Sequence, residues 1–208
     1  MRVPVDPGRI LLIRRKALGD ALVTLPAVLQ VARAWPRADI DLVIDRPFAG
    51  LLEGLAHGVR ILSWPPSAGT SWLVNLRARR YDMVIDWLGN PRTALWTALS
   101  GAGVRVGYDL PRRRWAYNVR VPRNRDSGRR LRGFAGEAFL DPLRSLGLEP
   151  PPWRDGHVAG TLEADPFPVL GDEYRNWSRA WFSRAEPTVV LMFSATWPAK
   201  GWTADHAA

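Results

Sequence analysis

The sequence contains no cysteine, and histidine is nearly as scarce. Without cysteine the chain can form no disulfide bond, no thiolate metal site and no catalytic thiol. Its three histidines, His57, His157 and His206, stand far apart along the chain, which argues against a histidine-based metal cage. We therefore expect a protein with no metal site.

Long apolar runs are missing as well. No stretch approaches the ~20 apolar residues of a membrane-spanning helix, and the N-terminal MRVPVDPGRILLI has neither the apolar core nor the cleavage site of a signal peptide. These absences predict a cytoplasmic protein. Its 208 residues, 47% of them hydrophobic and 24% charged, suffice for one large domain or one and a fraction.

Lysine is the third scarce residue type: of 29 basic residues only Lys16 and Lys200 are lysines, and the net charge is +9. Residues 111–133 concentrate nine arginines against the single acid Asp126, at positions 112, 113, 114, 120, 123, 125, 129, 130 and 132. This segment is either a solvated loop or a patch that binds phosphates or carboxylates. Few aromatic residues interleave with these arginines, so we expect no nucleic acid partner.

Strand and helix patterns alternate along the first two thirds of the chain. Apolar runs predict strands over 9–14, 38–44, 59–63, 81–86 and 104–108. Helical spacing predicts helices over 20–35, 92–100 and 134–146, with Pro26 either beginning or bending the first of them. This alternation indicates βαβ units, hence a parallel sheet covered by helices on both faces.

The amino-acid composition changes after Leu148. Proline-rich stretches indicate an extended linker, a helix is predicted over 172–184, and PTVVLMF at 187–193 is typical of another buried strand. A single βα unit cannot bury the faces of its own strand. We therefore predict a whole N-terminal domain over 1–150, a linker and helix over 151–186, and the first βα unit of a second domain over 187–208, which is incomplete.

Two aspartates follow predicted strands at one edge of the sheet. Asp20 comes where the first strand gives way to a helix; it is either the N-cap of that helix or a general base for an acceptor hydroxyl. Gly19 before it permits close approach by a ligand. Asp86 ends the fourth strand at the same edge, where it and Gly89 either border a cleft or form a turn.

The loop SATWPAKGW follows the predicted strand at 187–193. A loop of small residues leading into a helix can hold a phosphate through its amides, with a lysine adding charge. Thr196 and Lys200 are the candidates. The glycine frameworks of the P-loop and of the GxGxxG dinucleotide motif are both missing, which argues against a nicotinamide dehydrogenase.

Three segments together resemble one family, the ADP-heptose:lipopolysaccharide heptosyltransferases of glycosyltransferase family 9. The segments are ILLIRRKALGDALVTLPAVLQVAR, YDMVIDWLGNPRTALWTALSGAGVRVGYD and FSATWPAKGW, in the family's order and near its spacing. The family's DTG-x-x-H stretch is not in this sequence, and Leu88 stands where a glutamine is common. The resemblance implies an α/β fold of the GT-B type, with two Rossmann-like domains, of which this chain is expected to hold the first part.

The resemblance also implies site residues. Asp20, the aspartate of the "GD" motif, is the expected catalytic base, while Lys200 and Thr196 are expected to bind the donor's phosphates. A hydroxyl nucleophile needs a base and a departing diphosphate needs positive charge, so the chemistry agrees with these roles. The residues expected at the acceptor or along the cleft are Gly19, Lys16, Asp86, Gly89, Asn90, Arg92 and Arg120.

The implied activity is inverting transfer of a heptose, or a related sugar, from a nucleotide-sugar donor to a lipopolysaccharide inner-core acceptor. No cofactor and no metal is expected, an ADP-sugar being the substrate. The expected partners are that donor and an anionic lipopolysaccharide-type acceptor, and peripheral contact with the inner membrane is left open. The alternative is an inactive or incomplete GT-B half that binds an anionic glycan or a partner without turnover.

Overall fold

The chain divides into two compact units, residues 1–169 and 170–208. The computed structural model describes residues 6–52, 58–64, 69–123, 135–149, 153–154, 157–158 and 172–182. The predicted strand at 187–193 and the βα unit over 187–208 lie outside these residues. The predicted three-part division of the chain therefore stays a prediction.

The first unit is built on six parallel strands with helices between them. The strands are β1 Arg9–Ile13, β2 Asp39–Asp45, β3 Val59–Trp64, β4 Met83–Asp86, β5 Val104–Tyr108 and β6 Val119–Val121. The helices are α1 Leu18–Ala34, α2 Arg46–Leu52, α3 Gly69–Ala78, α4 Pro91–Leu99 and α5 Asp141–Arg144, with 3₁₀ turns at Arg114–Ala116 and Ala135–Leu140.

The strand order across the sheet is β3-β2-β1-β4-β5-β6, and every pair is parallel. This is the order of doubly wound nucleotide-binding folds, in which ligands bind beyond the carboxyl ends of the strands where the order reverses. Here the reversal lies between β1 and β4. The predicted parallel α/β fold is confirmed.

Apolar side chains cover both faces of the sheet because helices pack on both. Along β1, Ile10 and Leu12 point into one core with α1, α2 and α5, whereas Leu11 and Ile13 point into the other with α3 and α4. All four side chains are fully buried. The face shared by Ile10 and Leu12 is called the α1 face below, and the opposite one the α4 face.

Helix α1 begins earlier than predicted, at Leu18 instead of Asp20, and it continues through Pro26. Proline removes one backbone donor from a helix interior. Pro26 is buried on the packed side of α1 along with Ala27 and Val28. The packing of that side therefore outweighs the missing hydrogen bond.

Several short elements differ from the sequence prediction. Helix α2 and strand β6 were not predicted. Within the predicted helix at 134–146, the described part consists of a 3₁₀ turn followed by the four-residue α5. In the linker, Trp153–Arg154 (β7) and His157–Val158 (β8) form a two-stranded antiparallel pair. Short segments carry too few turns for a periodic signal, so they are the hardest to predict.

The second unit is described through one helix, α6 Asp172–Phe182. Its Trp177 and Trp181 rings lie 5.8 Å apart between centroids, and both side chains are more than half exposed. Among the helices of the described residues, none has the length and apolarity needed to cross a lipid bilayer.

Candidate active site

The carboxyl ends of β1 and β4 meet at the reversal of strand order. Ile13 pairs with Asp86 in the register of the two strands, and the Trp87 amide donates to the Ile13 carbonyl at 3.2 Å. The segments that follow the two strands therefore start side by side. This confirms the prediction that Asp20 and Asp86 follow strands that end at one edge of the sheet.

Asp20 lies in the first turn of α1, three residues after the N-cap. That cap is Ala17, which has no side chain able to accept a hydrogen bond, so the expectation that Asp20 is the N-cap is wrong. A carboxylate in the first turn still interacts favourably with the helix dipole. The Asp20 side chain is 57% exposed, and its Oδ2 lies 2.7 Å from Nη2 of Arg14.

Arg14 is a residue of this site that the sequence reasoning missed. Its side chain is 8% exposed. Its Nη1 donates to the Trp87 carbonyl at 3.0 Å, and its guanidinium carbon lies 4.8 Å from the centre of the Phe139 ring. Burial lowers the pKa of Arg14, and the Asp20 carboxylate opposes that shift. The alternation of β1, continued by one residue beyond Ile13, would have placed Arg14 on the α1 face with Leu12.

Asp86 plays a structural part instead of facing an open cleft. It is fully buried, its Oδ1 accepts from the amides of Leu88 and Gly89 at 2.9 Å each, and its Oδ2 accepts from the Tyr117 hydroxyl at 2.7 Å. Burial raises the pKa of Asp86, while these donors lower it. Strand alternation puts Asp86 on the α4 face with Ile13, opposite Arg14. The expectation that it borders the cleft is therefore corrected.

Gly89 and Asn90 shape the loop between β4 and α4. Gly89 has a φ of +60°, and a Cβ there would lie 3.5 Å from Leu110 and from Tyr108, so glycine suits the position. Asn90 is the N-cap of α4: its Oδ1 accepts from the Thr93 amide at 2.8 Å, and Thr93 Oγ1 accepts from the Asn90 amide at 3.2 Å. This capping box holds the start of α4 against the sheet edge.

The two arginines predicted at the cleft make their contacts elsewhere. The Arg92 guanidinium lies 5.1 Å from the Trp64 ring centre, on the α4 face. Arg120 lies on β6, and its Nε donates to the carbonyls of Arg114 and Tyr117. None of these contacts is with Arg14 or Asp20.

Lys16 and Gly19 lie on the same segment as Asp20, and both are exposed. A Cβ built at Gly19 meets no atom within 4 Å, so the fold itself does not require glycine there. Thr196 and Lys200 lie outside the described residues, as do arginines 125, 129, 130 and 132 of the basic segment. Their predicted roles in binding phosphates stay predictions.

Comparison of sequences finds heptosyltransferases, although no family model matches the chain. The chain is 32% identical over 117 residues to lipopolysaccharide heptosyltransferase 1 of Pseudomonas aeruginosa, a match that covers 49% of this chain and 32% of that protein. It is 28% identical over 117 residues to lipopolysaccharide heptosyltransferase 1 of Escherichia coli K12, covering 49% of this chain and 36% of that protein. The chain thus spans about a third of the length of the curated relatives it matches.

Comparison of folds finds structures named as a family 9 glycosyl transferase and as heptosyltransferases. A glycosyl transferase family 9 structure from Veillonella parvula matches with a TM-score of 0.68 and 18% identity, covering 98% of this chain and 58% of that one. The E. coli heptosyltransferase WaaC with ADP matches with a TM-score of 0.55 and 26% identity, covering 73% of this chain and 51% of that one. The predicted α/β fold of the GT-B type agrees with these matches. Sequence and fold together confirm that this chain resembles the heptosyltransferases of glycosyltransferase family 9.

Proposed function

We propose that the chain supplies the acceptor side of an inverting glycosyltransferase, which moves a heptose from a nucleotide-sugar donor to a lipopolysaccharide inner-core acceptor. The observation that carries this proposal is the exposed Asp20 carboxylate at the reversal of strand order. The relatives add support, since two are named lipopolysaccharide heptosyltransferase 1. Solved structures of the similar E. coli heptosyltransferase WaaC contain ADP or ADP-2-deoxy-2-fluoro heptose.

Asp20 is the proposed general base. Its carboxylate takes the proton of the acceptor hydroxyl as that oxygen forms a bond to the anomeric carbon of the heptose. The bond from the anomeric carbon to the nucleoside diphosphate breaks on the opposite face, so the configuration inverts. The diphosphate leaves with the bonding electron pair, and positive charge placed beside it stabilises the transition state.

Basic residues of the chain are proposed to hold both substrates. Lys200 and Thr196 are the proposed partners of the donor diphosphate, and a lysine there supplies charge without a metal or other cofactor. The exposed Lys16, four residues before Asp20, suits an anionic group of the acceptor.

The test measures oligosaccharide binding on the 208-residue protein, and transfer on the same chain joined to the donor-binding half of a heptosyltransferase. Inner-core oligosaccharide is titrated by calorimetry, and ADP-heptose is then added and the acceptor is analysed by mass spectrometry. We expect saturable binding and a heptosylated product, with the product falling by about 10²–10⁴-fold in Asp20→Asn. Undiminished turnover in that variant would overturn the role of Asp20 as base.

The two measurements separate the proposal from its alternative. Binding of the oligosaccharide without product, equal in the wild type and in Asp20→Asn, would identify a half that binds an anionic glycan without turnover. If the protein showed no binding and formed no product, the proposal and its alternative would both be contradicted. Asp45→Asn is a matched control, because Asp45 also carries a carboxylate paired with a buried arginine, Arg15, and has no proposed role in the reaction.

A further inference from the structure

The Arg14–Asp20 pair joins a buried cation to an exposed anion. Nη2 of Arg14 lies 2.7 Å from Oδ2 of Asp20, with the arginine side chain 8% exposed and the aspartate 57% exposed. An exposed aspartate ordinarily samples several rotamers, and exposed ion pairs hold their partners only weakly. A fixed, largely dehydrated guanidinium beside the aspartate narrows its rotamer distribution, because the carboxylate can pair with the guanidinium in only one orientation.

Arg14 is itself held in place from two further sides. Its Nη1 donates to the Trp87 carbonyl at 3.0 Å, and its guanidinium lies over the Phe139 ring. The Trp87 indole Nε1 in turn donates to the Phe139 carbonyl at 2.9 Å. Three segments of the chain therefore converge on one guanidinium: the end of β1, the end of β4 and the turn before α5.

We propose that Arg14 is a positioning residue for the reaction. By holding Oδ2 of Asp20 it fixes the side chain in one rotamer, and it leaves Oδ1, which makes no hydrogen bond to the described residues, as the atom that accepts the hydroxyl proton. This inference rests on the proposed function of Asp20 as base. Arg14 acts through Asp20 and does not touch the acceptor, because it is buried under Trp87 and Phe139.

The neighbouring Arg15 provides a matched control. It is as buried as Arg14, and its Nε lies 2.8 Å from Oδ1 of Asp45. Its guanidinium carbon is 3.7 Å from the Trp64 ring centre, on the α4 face. The two arginines are therefore alike in type, burial and pairing but lie on opposite faces of the sheet. A merely structural role predicts the same behaviour for both.

The first measurement needs no activity. Side-chain coupling constants and the ¹³C signal of the Asp20 carboxyl, recorded by NMR on the 208-residue protein, report its rotamers. We expect one rotamer in the wild type and in Arg15→Met, and averaging over several in Arg14→Met. Arg14→Lys keeps the charge, and we expect its Asp20 side chain to show rotamer averaging intermediate between the wild type and Arg14→Met. If Arg14→Met does not fold, Arg14→Lys is the variant compared with the wild type. An Asp20 signal unchanged in either Arg14 variant would overturn the proposal.

The second measurement uses turnover by the chain joined to a donor-binding half, as in the transfer assay. We expect kcat to fall by at least about 10-fold in Arg14→Met with the KM for the acceptor changed less than about twofold, since misplacing a reacting group costs rate and not binding. Arg14→Lys should restore part of that loss, and Arg15→Met should leave kcat unchanged. Arg14→Met added to Asp20→Asn should cause no further loss.

The outcomes of the two measurements are distinguishable. An equal additional loss in the Asp20→Asn background would show that Arg14 acts without Asp20, which contradicts the proposal. A wild-type protein that turns over no donor would contradict the proposed function, whereas the NMR comparison of the Arg14 and Arg15 variants would still decide whether Arg14 fixes the carboxylate.

Discussion

The Tyr117 hydroxyl donates a 2.7 Å hydrogen bond to Oδ2 of Asp86, and this bond ties the 3₁₀ turn after β5 to the end of β4. Both residues are buried. The other carboxylate oxygen of Asp86 accepts from two amides of the loop that leads into α4. One buried carboxylate thus fixes two loops beside the candidate site.

Replacing Tyr117 by phenylalanine should destabilise the protein. The change leaves Oδ2 of Asp86 buried without its donor, at a cost of about 1–3 kcal/mol in the free energy of unfolding. Urea denaturation followed by tryptophan fluorescence measures it. Tyr108→Phe is the matched control, because Tyr108 is also buried but its hydroxyl makes no hydrogen bond to the described residues. This variant should lower the free energy of unfolding by less than about 0.5 kcal/mol. Equal losses in both variants would contradict the role given to the Tyr117 bond.

Gly107 should tolerate no side chain, because the Tyr117 ring fills the space beside it. A Cβ at Gly107 would lie 2.4 Å from Tyr117 Cε1, whereas one at Gly103 would meet its nearest neighbour, the Asp82 carbonyl, at 3.9 Å. Gly107→Ala must displace the ring and should lower the free energy of unfolding by about 1–3 kcal/mol. Gly103→Ala should be close to neutral by the same denaturation measurement. Equal stability of the two variants would show that the ring does not occupy that space.

Asp86 should make the stability of the protein depend on pH. Burial raises the pKa of Asp86 above the ordinary 3.8 in the folded protein, so the folded state binds the proton more tightly than the unfolded state does. Its stabilising contribution is complete below pH 3.8 and is lost as the pH rises through the folded pKa.

Asp86→Asn isolates this contribution, because asparagine keeps an acceptor for the Leu88 and Gly89 amides but does not titrate. The free energy of unfolding of the wild type minus that of the variant should fall as the pH rises from 3.8 through the folded pKa of Asp86, and it should be flat above that pKa. Urea denaturation at a series of pH values gives the difference. A difference that grows with rising pH would mean that the hydrogen bonds to the carboxylate outweigh its desolvation.

The fold was predictable to the extent that its elements are long and their patterns regular. The apolar runs of β1 and β4 and the spacing of α1 gave a parallel sheet, and the strand ends meet at one edge as expected. Strand β6 has three residues and helix α2 has seven, which is too short for a periodic pattern to distinguish them from loops.

The candidate site was predictable in part, and the misses have physical causes. The "GD" motif located Asp20, which the structure places exposed at the sheet edge. That two strands end at the same edge does not predict on which face of the sheet each side chain lies. Asp86 is buried on the α4 face. Arg14 was missed because charged residues after a strand are usually solvated. Its burial depends on Phe139, which is 125 residues further along the chain.

We expect Gly19→Ala to impair the proposed reaction without destabilising the fold. In the first turn of α1 a Cβ at this position meets no atom within 4 Å. The free energy of unfolding should therefore stay unchanged or rise by up to about 1 kcal/mol, since alanine is the better helix former. The added methyl group lies in open space next to Asp20, on the side from which the proposed mechanism brings the acceptor hydroxyl.

We expect Gly19→Ala to weaken oligosaccharide binding or to lower turnover by about 10-fold, because a displaced acceptor loses its alignment with the base. Calorimetry and the transfer assay measure the two effects. Gly50→Ala is the matched control: this glycine lies in α2, and a Cβ there also meets no atom within 4 Å. It should match Gly19→Ala in stability and the wild type in binding and turnover. Gly19→Ala protein that binds and turns over as well as Gly50→Ala would show that the acceptor does not pass over the start of α1, and the base would then have to be sought elsewhere along the sheet edge.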